Sequence, residues 1–213
     1  MSRWRAWQIV GGLSNPTKMP CYAWGTPATA CNVGSQLAEI QNSVCQSCYA
    51  LRGFFRMPKV QQAYQRRLDR FGAADWVPAM VKLVYWQAAE TGEPYFRWFD
   101  SGDLCDIEML RSIAVVARRT PEIRHWLPTR EYAIVRRYLH HEQPPANLTI
   151  RVSAPLVDGL APQNLGLSTS GVHSLAQPPT GQPCVAYGQK PPNCGACRAC
   201  WDPKVDHVSY PLH

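Results

Sequence analysis

The sequence predicts an α/β fold, a compact, partly open (βα) barrel of parallel strands with a small cysteine-rich C-terminal module. Three observations predict it. Short aromatic or β-branched runs alternate with stretches of helical period between Tyr95 and Val152, the pattern of βαβ units and a parallel sheet. Each run ends in a polar cluster: Asp100-Ser101-Gly102-Asp103, Thr129-Arg130-Glu131, then Ser153-Ala154. After about Ala176 the chain becomes rich in proline, glycine and glutamine around four cysteines, with too few apolar residues for a core of its own. Residues 1–175 are therefore read as a barrel-like domain with a three-cysteine loop, and residues 176–213 as a metal-binding extension.

Taken in order, residues 1–30 read as irregular, with Asn15-Pro16, Pro20 and Gly25-Thr26-Pro27 as turn signals and a short strand at Cys21 to Trp24. Leu37 to Ile40 reads as a helical turn inside the cysteine loop. Lys59 to Phe71 reads as a helix, because Pro58 precedes it and Val60, Tyr64, Leu68 and Phe71 share a face. Asp75 is placed to cap a helix from Trp76 to Thr91, which Gly92 stops. Tyr95 to Phe99 is a strand. Asp106 to Arg119 is a helix with Asp106 as its cap, Ile123 to Leu127 a strand, Tyr132 to His140 a helix, and Leu148 to Val152 a strand. Leu165 to Ser168 or Gly171 to Ser174 supplies a fourth. Trp76, Trp86 and Trp126 read as core.

A length of 213 residues, 46% hydrophobic and 17% charged, is that of a folded globular chain. No run approaches the roughly 18 apolar residues of a membrane span, and Met1 to Gly12 carries no apolar signal core. The net charge of +7, from 22 Lys+Arg against 15 Asp+Glu, favours a polyanionic partner such as nucleic acid. A basic band of Arg52, Arg56, Lys59, Arg66, Arg67 and Arg70, interleaved with Phe54, Phe55 and Tyr64, reads either as a nucleic-acid face or as a solvated helix face. Loops of the Walker or GxGxxG type and a Gly-x-Ser-x-Gly elbow are absent from the sequence.

The nine cysteines are odd in number and gather near the two ends, with Cys105 alone between. Reduced, metal-bound cysteine in the cytoplasm is the expected state. Cys31, Cys45 and Cys48 form one set, the last two as CxxC. Cys184, Cys194, Cys197 and Cys200 form another, C-x9-C-x2-C-x2-C. Two-residue spacing turns both sulfurs toward one centre. Three cysteines leave one iron of a [4Fe–4S] cluster open. Zinc, completed by Cys21 or a histidine, is the alternative. The second set closes either a further cluster or a tetrahedral zinc.

CxxCYA closing a long loop before a helix, with FDSGDL at Phe99 to Leu104 and Ile150 to Ser153 followed by Asp158-Gly159, resembles the radical S-adenosylmethionine superfamily. The three-cysteine spacing, C-x13-C-x2-C, is wider than that superfamily's usual C-x3-C-x2-C. The resemblance implies an iron–sulfur cluster on Cys31, Cys45 and Cys48, S-adenosylmethionine held near Ser101, Gly102 and Asp103, an electron donor, and an auxiliary cluster on the C-terminal cysteines. A closer set, PCYAWGTPA, VCQSCYALRG, FRWFDSGDL, WLPTREY, TIRVSAPLVDG and CGACRACWD, resembles the phage "gene product 88" family. That resemblance implies a phage or mobile-element setting, hence host cytoplasm, and brings no particular activity.

In an open parallel sheet ligands bind beyond the carboxyl ends of the strands. Asp100, Asp103 and Arg130 are therefore the candidate catalytic residues, and Ser101, Gly102, Thr129, Arg151 and Ser153 the candidate cofactor contacts. Arg151 alternates with Ile150 and Val152, so it faces inward and needs a partner such as Asp100 or a ligand carboxylate. His140-His141 reads as a helix end, and His173 as the histidine nearest the site. The expected activity is that of a radical-type iron–sulfur enzyme acting on a nucleotide or nucleic acid. The alternatives are a zinc protein that binds nucleic acid, and a zinc-containing base-exchange transglycosylase with Asp100 or Asp103 as nucleophile.

Overall fold

A computed structural model describes residues 1–212. Seven strands form a single sheet, β1 (Ala23–Trp24), β2 (Tyr95–Trp98), β3 (Arg124–Thr129), β4 (Leu148–Val157), β5 (Thr169–His173), β6 (Gln182–Pro183) and β7 (His207–Pro211). The order is β1-β2-β3-β4-β5-β7-β6, and every neighbouring pair is parallel. The sheet does not close into a barrel; β1 and β6 are its two edges. The helices are α1 (Arg3–Val10), α2 (Asn32–Ala38), α3 (Pro58–Arg70), α4 (Trp76–Thr91), α5 (Ile107–Arg118) and α6 (Tyr132–His141).

Alternation along the strands divides the molecule into two faces. Phe96 and Trp98 of β2, Leu127 of β3, and Leu148 and Ile150 of β4 enter one apolar core with α1, α4, α5 and α6. Trp24, Trp76 and Trp98 meet there edge-on or tilted, with centroids 5.3 to 6.4 Å apart, arrangements that add stability beyond the area they bury. The residues between them, Tyr95, Arg97, Trp126, Thr149 and Arg151, face the other way. There the C-terminal segment covers them. Thr149 donates to the Trp201 carbonyl at 2.9 Å, and Trp201 Nε1 returns a bond to the Phe96 carbonyl at 2.9 Å.

The order of elements follows the sequence periodicity, and the differences have local causes. The N-terminal segment is not irregular throughout, because α1 forms there. Ser2 caps it by accepting from Arg5 N at 3.1 Å, and Gly11 ends it in the left-handed region at φ 82°. α2 starts directly after Cys31 rather than at Leu37. Asp106 caps α5 through Met109 N at 2.8 Å, whereas Asp75 occupies the cap position of α4 without a side-chain bond. β4 continues past Ser153 to Val157 with a register shift against β5. β5 itself straddles the two segments expected to give it. The segment after Ala176 contributes β6 and β7 to the same sheet.

Gly25 and Gly102 allow the end of β1 to touch the turn after β2. Thr26 N donates to the Ser101 carbonyl at 3.0 Å. A Cβ on Gly102, already at φ 77°, would overlap the Thr26 hydroxyl and carbonyl, and one on Gly25 would overlap Ser101 and Asp100. Gly102→Ala therefore combines left-handed backbone strain with a backbone clash. We expect a loss of about 3 kcal/mol, which is a fall in Tm of roughly 6–12 °C for a chain of this size, checked by thermal unfolding monitored by circular dichroism.

Candidate metal centre

A cavity of about 250 Å³ lies at the carboxyl ends of the central strands, and cysteines from both sets line it. Cys31, Cys45 and Cys48 form one wall. Gly34 brings the first two together, since a Cβ there would stand 3.5 Å from Cys31 Sγ and 3.8 Å from Cys45 Sγ. Cys31 is the residue before α2, yet its thiol makes no cap bond. Glu131, buried between β3 and α6, does that work instead: its Oε1 accepts from Val33 N at 2.8 Å. A carboxylate at a helix start satisfies an orphan N–H and suits the local dipole. The Cys31 sulfur is thereby left without a structural duty.

The remainder of this loop is tied to the sheet. Val44 N donates to the Pro155 carbonyl at 2.9 Å, and Val157 N to the Asn42 carbonyl at 3.0 Å. The ring of Tyr49 is half exposed, but its hydroxyl turns inward and donates to the Asp100 carbonyl at 2.7 Å.

Cys184, Cys194 and Cys200 line the same cavity, with Tyr187 and Tyr210. Cys197 stands off the wall, close enough for its charge to act on Cys184 and Cys194. Cys194 N donates to the Lys18 carbonyl and Cys184 N to the Ser209 carbonyl, both at 2.8 Å. Cys200 Sγ and the Tyr210 hydroxyl are 3.2 Å apart.

All nine cysteines are free thiols. Burial is the largest cause raising the thiols of Cys31, Cys45, Cys184 and Cys194, and it takes Cys200 to about 11. These thiols hold their protons at neutral pH, so a metal that binds them must displace protons. Among the described residues, no group of three or more His, Cys, Asp or Glu side chains stands assembled around a single ion; the sulfurs ring a cavity instead. Soft, half-buried sulfur donors outside any disulfide, with CxxC spacing, fit an iron–sulfur cluster or zinc by their chemistry.

The polar strand ends reach the cavity in part. Ser101, Gly102, Asp103, Thr129, Arg130 and Ser153 line it. Asp103 accepts from Leu104 N at 2.8 Å and the Thr129 hydroxyl at 2.6 Å through Oδ1, and from Arg130 N at 2.8 Å through Oδ2. Burial pushes its carboxyl up to about 6 against those donors. Arg130 Nε donates to the Ala154 carbonyl at 3.0 Å, and Ser153 accepts from the Ser170 hydroxyl at 3.1 Å.

Asp100 and Arg151 lie away from the cavity wall. Asp100 Oδ2 accepts from the Tyr64 hydroxyl at 2.8 Å, while Oδ1 is buried without a partner. Arg151 is fully buried, and its partner is neither Asp100 nor a ligand carboxylate. It donates to the carbonyls of Thr169 (2.8 Å), Val205 (3.0 Å), Ala199 (3.0 Å) and Asp202 (3.2 Å), so it fastens the C-terminal segment to the sheet. His173 Nδ1 is 2.7 Å from Ser209 Oγ, off the cavity wall. In the basic band, Arg52, Arg56, Lys59, Arg66 and Arg70 are exposed, but Arg67 is buried and donates to the Ser14 hydroxyl at 2.8 Å.

Two cationic residues of the cavity escaped the sequence reading. Arg97 projects from β2, and Lys18 comes from the loop before β1. The signal for Arg97 was available: it is the single charge inside Tyr95-Phe96-Arg97-Trp98-Phe99, on the strand face opposite Phe96 and Trp98. Lys18 left no trace, because no periodicity surrounds it.

Fold and site together define an open, all-parallel α/β protein whose strand ends meet a cavity walled by two cysteine sets. The chain belongs to the gene product 88 family, whose profile matches residues 6–203. No curated protein sequence and no solved structure matches the chain. Among the described residues, no helix is long and apolar enough to cross a membrane.

Proposed function

We propose that this protein is an iron–sulfur enzyme of the radical S-adenosylmethionine type that acts on a nucleotide or nucleic acid in a phage setting. Cys31, Cys45 and Cys48 would hold a [4Fe–4S] cluster, and Cys184, Cys194, Cys197 and Cys200 a second metal group. The observation that carries this reading is the single cavity at the strand ends, walled on both sides by cysteine sulfur. A cluster held by these cysteines would, with S-adenosylmethionine and an electron donor, supply hydrogen-abstraction chemistry at the cavity. The chain's own part is positional. Gly102 and Ser101 present backbone at the cavity wall, where the methionine end of S-adenosylmethionine would lie. Asp103 fixes Leu104, Thr129 and Arg130 by one hydrogen bond each, and Glu131 holds the start of α2 so that Cys31 stays in place. Asp103 has both oxygens engaged and Asp100 is off the cavity wall, an arrangement suited to positioning rather than to nucleophilic attack.

Anaerobic purification tests the proposal. The expected product is brown, with about four or eight irons per chain, and Cys45→Ala loses the iron of one cluster and with it reductive cleavage of S-adenosylmethionine. A colourless protein that contains zinc alone, with no cleavage after iron reconstitution, would overturn it and favour the zinc-dependent binding protein.

A further inference from the structure

We propose that the cavity contains an oxyanion subsite, built on Arg97 with Lys18 and Arg130, that receives the phosphate of a nucleotide substrate. The proposal rests on the preceding reading for the identity of the substrate, and on the donor geometry for the subsite itself.

Strand alternation sends Arg97 to the cavity side of β2, where its guanidinium lies over the Trp126 ring at 4.6 Å from the centroid. Its donors are poorly used. Nη1 meets only the Met19 sulfur at 3.2 Å, a weak acceptor. Nη2 reaches the Phe99 carbonyl at 3.1 Å and, at 3.4 Å, the Tyr49 hydroxyl, which already donates to the Asp100 carbonyl. Nε is buried without a partner. Among the described residues, no carboxylate lies within ion-pair distance of Arg97. Two arginines elsewhere are better served at their terminal nitrogens: Arg151 reaches four carbonyls and Arg198 bonds Glu93 at 2.7 Å.

The remaining charges of the cavity sharpen the contrast. Lys18 and Arg130 line it as further cations. The one carboxylate on the wall, Asp103, is spent on Leu104 N, Arg130 N and the Thr129 hydroxyl. Asp100 acts on the Arg97 guanidinium only from beyond ion-pair distance, so no carboxylate occupies its donors directly. Nη1, whose one partner is a thioether sulfur, keeps a donor for a charged oxygen acceptor, and the flat face of Trp126 fixes the plane of the fork. A phosphate accepts from several donors at once, which suits three cations better than a carboxylate does.

The rival role for Arg97 is that of counter-charge to metal–thiolate groups on the two walls, and the experiment separates the two. Inorganic phosphate and acetate are titrated calorimetrically, at constant ionic strength, into anaerobically purified full-length protein of the wild type, Arg97→Gln, Arg97→Lys and Lys18→Gln, with metal content and circular dichroism recorded for each. We expect phosphate to bind the wild type at least tenfold more tightly than acetate. Arg97→Gln weakens it at least tenfold at unchanged metal content, and Arg97→Lys and Lys18→Gln give intermediate losses. The proposal is overturned if phosphate does not bind, if acetate binds as tightly, if Arg97→Gln binds phosphate like the wild type, or if it loses its metal. Arg97→Lys keeps the test decisive should the glutamine variant fail to fold. Absence of iron with phosphate binding intact would sink the preceding reading and leave the subsite standing.

Discussion

Arg151→Met detaches the C-terminal cysteine segment from the sheet and lowers Tm by roughly 10 °C or more. The side chain sits on β4 beneath the segment, and two of its nitrogens serve four carbonyls from β5, Ala199, Asp202 and Val205. Methionine matches its length and removes all four donors. A buried carbonyl left without a donor costs about 1–3 kcal/mol. Removing the buried charge returns part of this, so the net loss is expected near 4 kcal/mol, or about 8–16 °C at 2–4 °C per kcal/mol. Arg151→Lys fails to rescue, because an ammonium offers three donors from one point where the guanidinium fork spans both sides of the segment. Limited proteolysis should cut the variant first between Thr180 and Asp206. The measurement that decides is the metal content of the purified variant. On the iron–sulfur proposal the loss is confined to the second cysteine set, and the Cys31, Cys45 and Cys48 site stays loaded. A variant with wild-type Tm would show that the four bonds carry no weight.

The strands and helices from Tyr95 to Val152 were legible because each rests on local period and local punctuation. Asp106 is an example, reading as a cap and serving as one. The polar strand ends were legible for the same reason, and six of those residues line the cavity. What local pattern could not supply was the destination of the C-terminal segment. Gln182–Pro183 is too short to read as a strand and His207–Pro211 lacks a clear apolar alternation; β7 pairs with β5, and β6 in turn pairs with β7. α1 was hidden similarly. Its Trp and β-branched residues are weak helix formers in isolation, and packing against α4 decides the matter. Arg151 shows the limit most clearly. Alternation correctly turned it inward and the need for a partner was correctly inferred, but the partners are carbonyls of residues 48 to 54 positions later in the chain and at the start of β5, which no sequence pattern announces.

That long-range closure also explains why both cysteine sets meet. The first set is held to the strand ends by Glu131, Pro155 and Asn42, the second by Lys18, Ser209 and Arg151. Apart from Cys200, whose sulfur is 3.2 Å from the Tyr210 hydroxyl on β7, neither hold uses a sulfur. The scaffold brings the thiols to one cavity and leaves their coordination free, an arrangement that favours a bound group over a structural role for cysteine.

Acidification should destabilise the protein through His125, independently of any metal. The imidazole lies on β3 within the helix-side core, stacked on Trp98 with centroids 6.0 Å apart. Its Nε2 is 2.8 Å from the Thr120 hydroxyl, and its Nδ1 is buried without a partner. Burial lowers it from the ordinary 6.5 to about 3. The folded state therefore keeps the ring neutral while the unfolded chain takes up a proton below 6.5. A depressed base gives its full contribution above 6.5 and loses it as pH falls toward 3. Within that window the loss is about 1.4 kcal/mol per pH unit. His125→Leu keeps an apolar side chain in the core, and Thr120 retains its bond to the Val116 carbonyl at 2.9 Å. Urea unfolding at pH 7, 5.5 and 4.5 is the test. The wild type should lose roughly 1.4 kcal/mol more than His125→Leu between pH 5.5 and 4.5. Equal slopes for the two proteins would mean that the ring takes up its proton in the fold, and that the core around Trp98 admits water.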